Sequence, residues 1–374
     1  MSKTSTKTKA AAGASTPVND NGSKRTARFA LYDQHLARAK VFLLHGRGGA
    51  STKHANLDDM SDTEIARRTR SKDPKERLIL PPVTIDVVEP RHDPSLCSPN
   101  GKLTLIVTSV YPVGVAEETL LLVLLSLAGK KRPEEDRKAG VISSTSPNRD
   151  LAVKSIGAKG DGPLGEKILA IHVSRRRLIN ELCLDGGGRG YEYIKARLRR
   201  LRWIGYDATL IEGNVERAWG GSQLLSYDMV EDDPDALIKI NLNERFARVL
   251  IGANDTRKRA PYERIDLDER FALQTEAAKL LHMRISVDVP GQRGRNGTYG
   301  PASVTYDFDA LADEIYPLPD KPLTESGIKK RRTAIRKAFE AIGALPGWMI
   351  EFKGTTAKVS RSERKRGLRR KVTP

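Results

Sequence analysis

Two segments of this chain, residues 187–202 and 323–342, are crowded with arginine and lysine side chains that could bind phosphates or the edges of bases. Each segment leads into a short aromatic stretch of strand-like composition, residues 203–206 after the first and 348–352 after the second. A basic helix followed by a hairpin is an arrangement in which the helix enters the major groove of DNA and the hairpin follows the phosphates. Its repetition predicts one chain that grips two neighbouring stretches of one duplex.

Both basic segments have the apolar periodicity of a helix with one buried face. The apolar side chains of the first recur every three or four residues, and those of the second are seven, four and three residues apart, so each set lies on one stripe of a helix. The stripe of the first segment consists of Tyr191, Ile194, Leu198 and Leu201. The stripe of the second consists of Ile328, Ile335, Phe339 and Ile342. The other face of each helix is left to the cations.

These outward cations are the candidate site. Arginine and lysine exceed the carboxylates within each helix, so pairing between residues three or four apart cannot neutralise them. A solvated helix face commonly explains one such stripe, but two stripes in a chain of net charge +18 favour contact with DNA. The predicted DNA-binding residues are Arg189, Tyr193, Lys195, Arg197, Arg199, Arg200, Lys329, Lys330, Arg332, Thr333, Arg336 and Lys337. The sequence leaves open which of them read bases and which bind phosphate.

The composition limits the partners of the chain. A net charge of +18 attracts polyanions, either nucleic acid or an acidic membrane surface. The longest apolar run, residues 119–128, is too short to span a bilayer, and the Lys/Thr/Ala-rich N-terminus lacks the apolar core of a secretory signal. Cys97 and Cys183 are too few for a disulfide framework or a structural zinc site. We therefore expect a cytoplasmic protein that binds nucleic acid and not a membrane.

Motifs that could support catalysis lack the neighbouring residues and elements that the chemistry requires. Residues 160–165 match G-x-G-x-x-G, but Pro163 interrupts them and Glu166 takes the position of the P-loop lysine. A strand also follows where a nucleotide motif needs a helix, so we expect a loop without ATPase activity. None of the six histidines forms an H-x-H pair, and His282 lies on an apolar helix where a satisfied core histidine is expected. The sequence predicts no catalytic residue, no metal site and no cofactor.

The elements that would position the basic helices indicate an α+β chain of two tandem winged-helix domains with disordered basic termini. Residues 1–77 are predicted to be a largely disordered extension, and residues 361–374 a basic tail. The first domain covers residues 78–252, and the second covers 265–360 after a linker that ends at Arg264. The second half is predicted to repeat the order of the first with fewer insertions.

Local patterns predict the elements of each domain. The strands of the first domain are predicted at 83–88, 103–107, 168–173 and 237–242. Its wing would pair strands at 203–211 and 223–229, its Leu-rich buried helix covers 115–129, and Ser174 would cap a helix over 174–182. The helices of the second domain are predicted at 272–287, 307–315 and 323–345, before a hairpin of 348–352 and 356–360 around Gly354. The extension offers one short helix at 62–70, and residues 130–165 have a loop composition.

Several of these segments resemble the replication protein C family of IncQ-type plasmid replication initiators. The resemblance is carried by residues 91–97, the helix ending at Leu127-Ala128-Gly129, residues 275–282, residues 329–332 and the hairpin at 348–359. It extends in register over about residues 90–360, including the first basic helix. The N-terminal extension and the loop at 130–165 depart from that family's pattern.

The resemblance implies tandem winged-helix domains that bind direct repeats, called iterons, in double-stranded origin DNA. Such proteins help to open the adjacent AT-rich DNA for helicase loading and have no catalytic site. By position, residues 191–202 would be the recognition helix of the first domain and residues 329–337 that of the second. The implied partners are the iteron DNA, a plasmid-encoded or host replicative helicase, and a second copy of the chain in a homodimer linked to plasmid copy control.

Two other functions stay open at the level of the sequence. A winged-helix transcriptional repressor would use the same domains without an origin function. The other is a nicking or priming replication enzyme; for nicking, tyrosines are available as nucleophiles.

Overall fold

Helices alternate with antiparallel strands in the described part of the chain. The computed structural model describes residues 28–33, 41–42, 60–69, 83–87, 102–111, 113–129, 140–142, 168–212, 215–230, 233, 236–243, 262–289, 303–316 and 322–362. The strands are β1 Phe29–Asp33, β2 Val83–Val87, β3 Lys102–Ser109, β4 Gly140–Ile142, β5 Ile168–Ser174, β6 Ile204–Glu212, β7 Val215–Gln223, β8 Leu225–Asp228, β9 Leu237–Leu242, β10 Tyr262–Asp266, β11 Ser303–Asp307, β12 Trp348–Lys353 and β13 Thr356–Arg361. The helices are α1 Asp62–Thr69, α2 Val115–Gly129, α3 Arg175–Glu181, α4 Gly188–Arg202, α5 Leu267–Ala272, α6 Glu276–Asp288, α7 Phe308–Ile315 and α8 Glu325–Gly343.

A set of six elements occurs twice along the chain. In the first unit, α2 is followed by β5, α3, α4, β8 and β9. In the second unit, α6 is followed by β11, α7, α8, β12 and β13. The first strand of each set pairs with the last one, so the sheet orders β5-β9-β8 and β11-β13-β12 are equivalent. The mixture of helices and sheets and the repetition of their order are as predicted.

Polar side chains fix where the helices of both units begin. The hydroxyl of Ser174 accepts a hydrogen bond from a backbone amide of the first turn of α3, as predicted. Thr275, Asp307 and Thr324 do the same for α6, α7 and α8. A side-chain oxygen at this position satisfies an amide that has no partner within the helix. The helices α6 and α8 therefore begin later than their apolar patterns predicted.

One continuous hydrophobic core joins the two units. The helix α2 is apolar around its circumference, so it must be buried on all sides, and its residues 120–125 are at most 1% exposed. Leu198 of α4 and Ile240 of β9 belong to the same core as Phe339 of α8 and Trp348 of β12. The two units therefore share apolar surface as well as an element order.

An inserted hairpin separates α4 from β8 in the first unit. Strand β6 pairs with β7, with Glu212 opposite Val215, and these strands join β2 and β3 in a sheet of order β2-β3-β6-β7. The prediction that residues 203–211 pair with 223–229 is therefore wrong, because β8 within the latter segment pairs with β9. Only two residues connect β6 to β7, and closing a short connection costs the least chain entropy.

Two parts of the N-terminal extension form regular elements, and the first of them, a strand, corrects the prediction of disorder. Strand β1 pairs along its whole length with β10, and its side chains Ala30 and Tyr32 are buried. Helix α1 matches the short helix that the sequence predicts at 62–70. Strand β10 begins at Tyr262, so the predicted linker ends in a strand that the extension completes.

Other predicted features lie outside the described residues. They include the rest of residues 1–77, the segment 91–97 with Cys97, the G-x-G-x-x-G match at 160–165, and the basic tail from residue 363 onward.

A buried arginine connects the two units. The side chain of Arg270, on α5, is completely buried. Its guanidinium donates to the Glu118 carboxylate at 2.6 Å and to Thr119 Oγ1 at 3.1 Å, both on α2, and to the carbonyl oxygen of Lys279 on α6 at 2.9 Å. Burial raises the pKa of Glu118, and the charge of Arg270 opposes that rise. Because separating these groups would leave a buried charge without a partner, the contact holds α2 against α5 and α6.

The preceding residue, Glu269, faces the second unit. Its carboxylate accepts hydrogen bonds from His282 Nε2 at 2.9 Å, Trp348 Nε1 at 3.2 Å and Arg361 at 2.8 Å. Desolvation is the largest effect on the fully buried His282 and lowers its pKa, so the ring is neutral and its Nε2–H is the donor. Its Nδ1 has no hydrogen-bond partner among the described residues. His282 is thus a core histidine, as predicted.

Arg270→Met is expected to lower the free energy of unfolding by about 3–5 kcal/mol, because Glu118 would stay buried without its partner. Adding Glu118→Leu is expected to restore much of that loss, since apolar side chains can replace a buried ion pair. Urea denaturation followed by circular dichroism measures both variants. Arg28→Met is the control, because Arg28 pairs with Asp268, which is 46% exposed, and its removal should cost less. Equal losses in the single and double Arg270 variants would contradict the coupling.

The stability of the chain is expected to fall as the pH drops below the ordinary histidine pKa of 6.5. The folded-state pKa of His282 is lowered by burial, while Glu269 opposes that effect and the charges of Arg270 and Arg361 add to it. Between the folded and unfolded pKa values the unfolded chain binds more protons, so stability decreases with decreasing pH. His282→Gln keeps a donor for Glu269 but does not titrate, and should flatten this dependence. Urea unfolding at several pH values between 7.5 and 5 measures it; an unchanged slope would mean that His282 does not contribute.

Candidate nucleic-acid interface

Helix α8 presents an uncompensated cationic face. Its buried side consists of Ile335, Ala338, Phe339 and Ile342, whereas the predicted stripe residue Ile328 is only half-buried. The exposed side consists of Lys329, Lys330, Thr333 and Lys337, all of them predicted site residues. Within the described residues none of these three lysines forms an ion pair, and the Thr333 hydroxyl donates to the Lys329 carbonyl at 2.8 Å. The three ammonium groups are therefore available to an anionic partner.

Arg336 holds the hairpin β12–β13 against this helix. Its guanidinium donates to the carbonyl oxygen of Gly354 at 3.0 Å and lies 4.7 Å from the centre of the Phe352 ring. Gly354 is the first residue of a two-residue turn and has a positive φ of 58°, which suits a glycine in a tight hairpin. Arg336 therefore positions the hairpin, as a link between α8 and the turn.

The hairpin itself adds cations beside α8. Lys353 and Lys358 are exposed, and Lys358 lies opposite Glu351 across the strand pair. Hairpin and helix together form one basic surface, which we call the α8 face; it comprises Lys329, Lys330, Thr333, Lys337 and Lys353.

Arg332 links α8 to α7. Its guanidinium makes two hydrogen bonds to the Asp309 carboxylate, one of 2.7 Å from Nε. These bonds hold the pKa of Asp309 below its ordinary value. Arg331 beside it lies over the ring of Tyr316 at 4.6 Å. Among the predicted site residues of α8, Arg332 and Arg336 are thus committed to contacts within the protein.

Helix α4 of the first unit is covered on one flank by α2. The buried stripe of α4 contains Ile194, Leu198 and Leu201. Beside that stripe, Arg197 donates to Glu117 at 2.8 Å, and Arg200 lies 3.5 Å from the same carboxylate. The Glu117 side chain is 3% exposed, so it is a buried acceptor that consumes two of the predicted cations.

The other flank of α4 is covered by α1. Asp62 pairs with Arg199 at 3.0 Å and with Arg202 at 2.9 Å, and Arg199 also donates to the carbonyl oxygen of Met60. Beneath these pairs, Ile65 of α1 packs with Val110 and Tyr111. The premise that carboxylates within α4 cannot match its cations is correct, but the matching carboxylates come from α1 and α2.

The start of α4 is the part that stays exposed. Arg189 and Glu192 are exposed and form no ion pair with a described residue, whereas Tyr193 and Lys195 are half-buried. The guanidinium of Arg197 lies over the ring of Tyr193, 4.9 Å from the ring centre. Gly190 is required here, because a Cβ would lie 2.6 Å from the Asp185 carbonyl oxygen. That close approach sets the start of α4 against the segment after α3, and Ile179 of α3 would lie 3.3 Å from the same Cβ.

Sequence reasoning missed two carboxylates that shape this surface, namely Asp62 and Glu117. Both lie far from α4 in sequence, so no local pattern reveals them. Glu192 lies inside the predicted helix, and its place opposite the apolar stripe follows from the helical spacing.

The described residues contain no group of His, Cys, Asp or Glu side chains that could hold a metal ion. None of the described helices is long and apolar enough to cross a bilayer.

Comparisons with known proteins give one family match. A family model described as Replication protein C (RepC) matches residues 100–363, which is well over half of the chain. A search of curated proteins found no significant match.

Among solved structures, the chain is similar to a crystal structure of SeMet derivatives of domains 2 and 3 of RctB, with a TM-score of 0.37 and 7% identity over 78% of this chain and 92% of that one. A second crystal structure of RctB domains 2–3 gives a TM-score of 0.35 and 9% identity over 76% of this chain and 93% of that one. Scores at this level establish neither a common fold nor a common function.

Asp62→Asn is expected to raise the affinity of the full chain for random-sequence DNA and to steepen its salt dependence. The substitution removes the negative charge that neutralises Arg199 and Arg202, so the charge of each could then neutralise a phosphate, adding about 0.9 per contact to the slope of log K against log salt. Fluorescence anisotropy with a labelled random duplex at several salt concentrations measures both effects. Glu64→Gln is the charge-matched control, because Glu64 pairs only with Arg67 and Arg68 of its own helix among the ion pairs of the described residues. Equal changes in both variants would show that α4 gains nothing from the loss of the Asp62 charge.

Proposed function

The chain belongs to the replication protein C (RepC) family, and we propose that it initiates plasmid replication by binding double-stranded DNA at the origin. The observation that carries the proposal is the α8 face, where three lysines without an ion-pair partner among the described residues lie beside a cationic hairpin. Such a surface neutralises phosphates and releases counterions, which supplies affinity for a duplex. The net charge of +18 adds long-range attraction.

The element order of each unit supports two tandem winged-helix domains, at residues 78–252 and 265–360. In the second domain α8 would enter a major groove, and the hairpin β12–β13 would be the wing along the phosphates. In the first domain the exposed start of α4 would enter a groove, while its end is held by α1 and α2. The arginines of that covered end would then stabilise the domain, and Arg189 would contact DNA.

The buried contacts of Arg270 favour binding to iterons of IncQ type, which are direct repeats. A buried charge pair and a common core hold α2, α5 and α6 together. The basic helices α4 and α8 would therefore keep a fixed separation. Two helices at a fixed separation bind two grooves only at a set spacing, commonly about one helical turn. Direct repeats of constant spacing would present two grooves at that set spacing. The plasmid that carries them would be in the cytoplasm.

Opening of the origin would follow from the combined binding of both domains. Bending or unwinding a site costs on the order of 1–6 kcal/mol, which has to come from protein contacts elsewhere on the duplex. The two helices and the wing would supply that free energy while adjacent AT-rich strands separate. The separated strands would admit a plasmid-encoded or host helicase, and a homodimer of the chain would limit initiation and so control copy number. No catalytic residue of the chain takes part in this mechanism.

Lys330→Ala combined with Lys337→Ala is expected to weaken binding to origin DNA and to lower the slope of log K against log salt by about 2, since two phosphate contacts are lost. Titration of a labelled origin duplex at several salt concentrations measures both quantities. Lys239→Ala is the control, because Lys239 is 63% exposed on β9 and already lies 3.9 Å from the Asp228 carboxylate, so its loss should change both quantities less. Unchanged affinity and slope in the double variant would refute the role of the α8 face.

Footprinting of the full chain on a supercoiled plasmid origin separates initiation from the other functions. Protection of tandem direct repeats with permanganate-reactive thymines beside them is the expected result. Protection of a short palindrome without strand opening would indicate a transcriptional repressor. A covalent adduct between protein and DNA in the presence of magnesium would indicate a nicking enzyme and would overturn the proposal.

A further inference from the structure

The outward faces of α4 and α8 can be compared residue by residue. The buried residues Ile194, Leu198 and Leu201 have the same spacing, four and then three, as Ile335, Phe339 and Ile342. Residues with the same offset from these stripes lie on the same side of their helices, since both helices have the same periodicity. Matching the stripes places Arg189, Glu192 and Ala196 of α4 where α8 has Lys330, Thr333 and Lys337. We call these two sets the outward triplets.

The two outward triplets differ in charge. That of α8 carries two lysines and no acid, whereas that of α4 carries one arginine and one glutamate. Glu192 is exposed and makes no ion pair or hydrogen bond with a described residue, although Arg189 lies one turn before it. A solvated carboxylate in this position would be repelled by phosphates and would lower affinity for any duplex. This loss of affinity is offset where a base donates a hydrogen bond to the carboxylate.

We propose that Arg189 and Glu192 are the sequence-reading pair of the first unit, a division of labour that rests on the proposed DNA-binding function. In the major groove, arginine donates to the O6 and N7 atoms of guanine, and a carboxylate accepts from the N4 amino group of cytosine. Arg189 therefore reads a guanine and Glu192 a cytosine. The lysines of α8, which act as point charges, supply affinity that depends little on sequence.

The spacing of the two side chains fits adjacent bases. Three residues of a helix rise about 4.5 Å along its axis, and neighbouring base pairs are about 3.4 Å apart. Arg189 and Glu192 can therefore reach the same base pair or two successive ones. The first unit selects a site that contains G·C pairs at this place, and Ala196 leaves room for the groove wall beyond them.

The test is selection of binding sites from a random duplex library by the full chain, by Glu192→Gln and by Glu192→Ala. Glu192→Gln keeps the shape of the side chain and removes its charge. We expect both variants to lose preference for cytosine at one position of the selected site, by roughly tenfold, and to bind random-sequence DNA more tightly. Glu340→Gln is the charge-matched control, because Glu340 is exposed on α8 and lies outside both outward triplets.

The control shows how DNA binding changes when a glutamate that contacts only solvent loses its charge. Glu340→Gln should raise affinity for all sequences alike, because only a repulsive charge is lost. If the Glu192 variants behave in the same way, with the selected sequence unchanged, the inference is overturned while the DNA-binding function stands. If the full chain selects no sequence, or if loss of Lys330 and Lys337 leaves its binding unchanged, the proposed function itself fails.

Discussion

The adjacent residues Glu269 and Arg270 fix the arrangement on which the rest of the structure depends. Their side chains leave the short helix α5 in different directions, Arg270 to α2 of the first unit and Glu269 to α6, β12 and β13 of the second. Both are buried, so neither charge can turn to water if its partners move away. Apolar contacts alone would tolerate sliding between the units, whereas these charges tolerate one arrangement.

That constraint has a consequence for recognition of DNA. Two DNA-binding domains joined by a flexible linker would lose conformational entropy when the second domain binds. They would also accept many spacings between their two sites. Because α2, α5 and α6 are held together, this conformational entropy is already lost when the chain folds. It would not be lost again on binding DNA. The strand β1 from the extension adds to the same region, because Arg28 pairs with Asp268 and donates to the carbonyl oxygen of Glu181 on α3.

Sequence reasoning succeeded where the determining signal is local. The Ser174 cap and most of the buried stripe of each basic helix depend on residues within one or two turns, and the repeated element order follows from such local patterns. It failed where the determining partner is distant. Asp62 and Glu117 neutralise arginines of α4 from 137 and 80 positions away, and β1 pairs with β10 across the whole of the first predicted domain. A count of charges within α4 contains none of this information.

If the chain binds DNA as proposed, the difference between the two helices would separate affinity for the duplex from selection of the site. A helix that binds by charge alone retains most of its affinity on any sequence, since every duplex presents the same phosphates. A helix with few free charges and an exposed carboxylate retains little on a wrong sequence. Under the proposed function, attraction of α8 to phosphate would keep α4 at high effective concentration near the duplex while α4 tests the bases, because the units are joined. Pairing of the α4 arginines with Asp62 and Glu117 would then increase discrimination, because a helix with all its cations free would bind correct and incorrect sites more nearly alike.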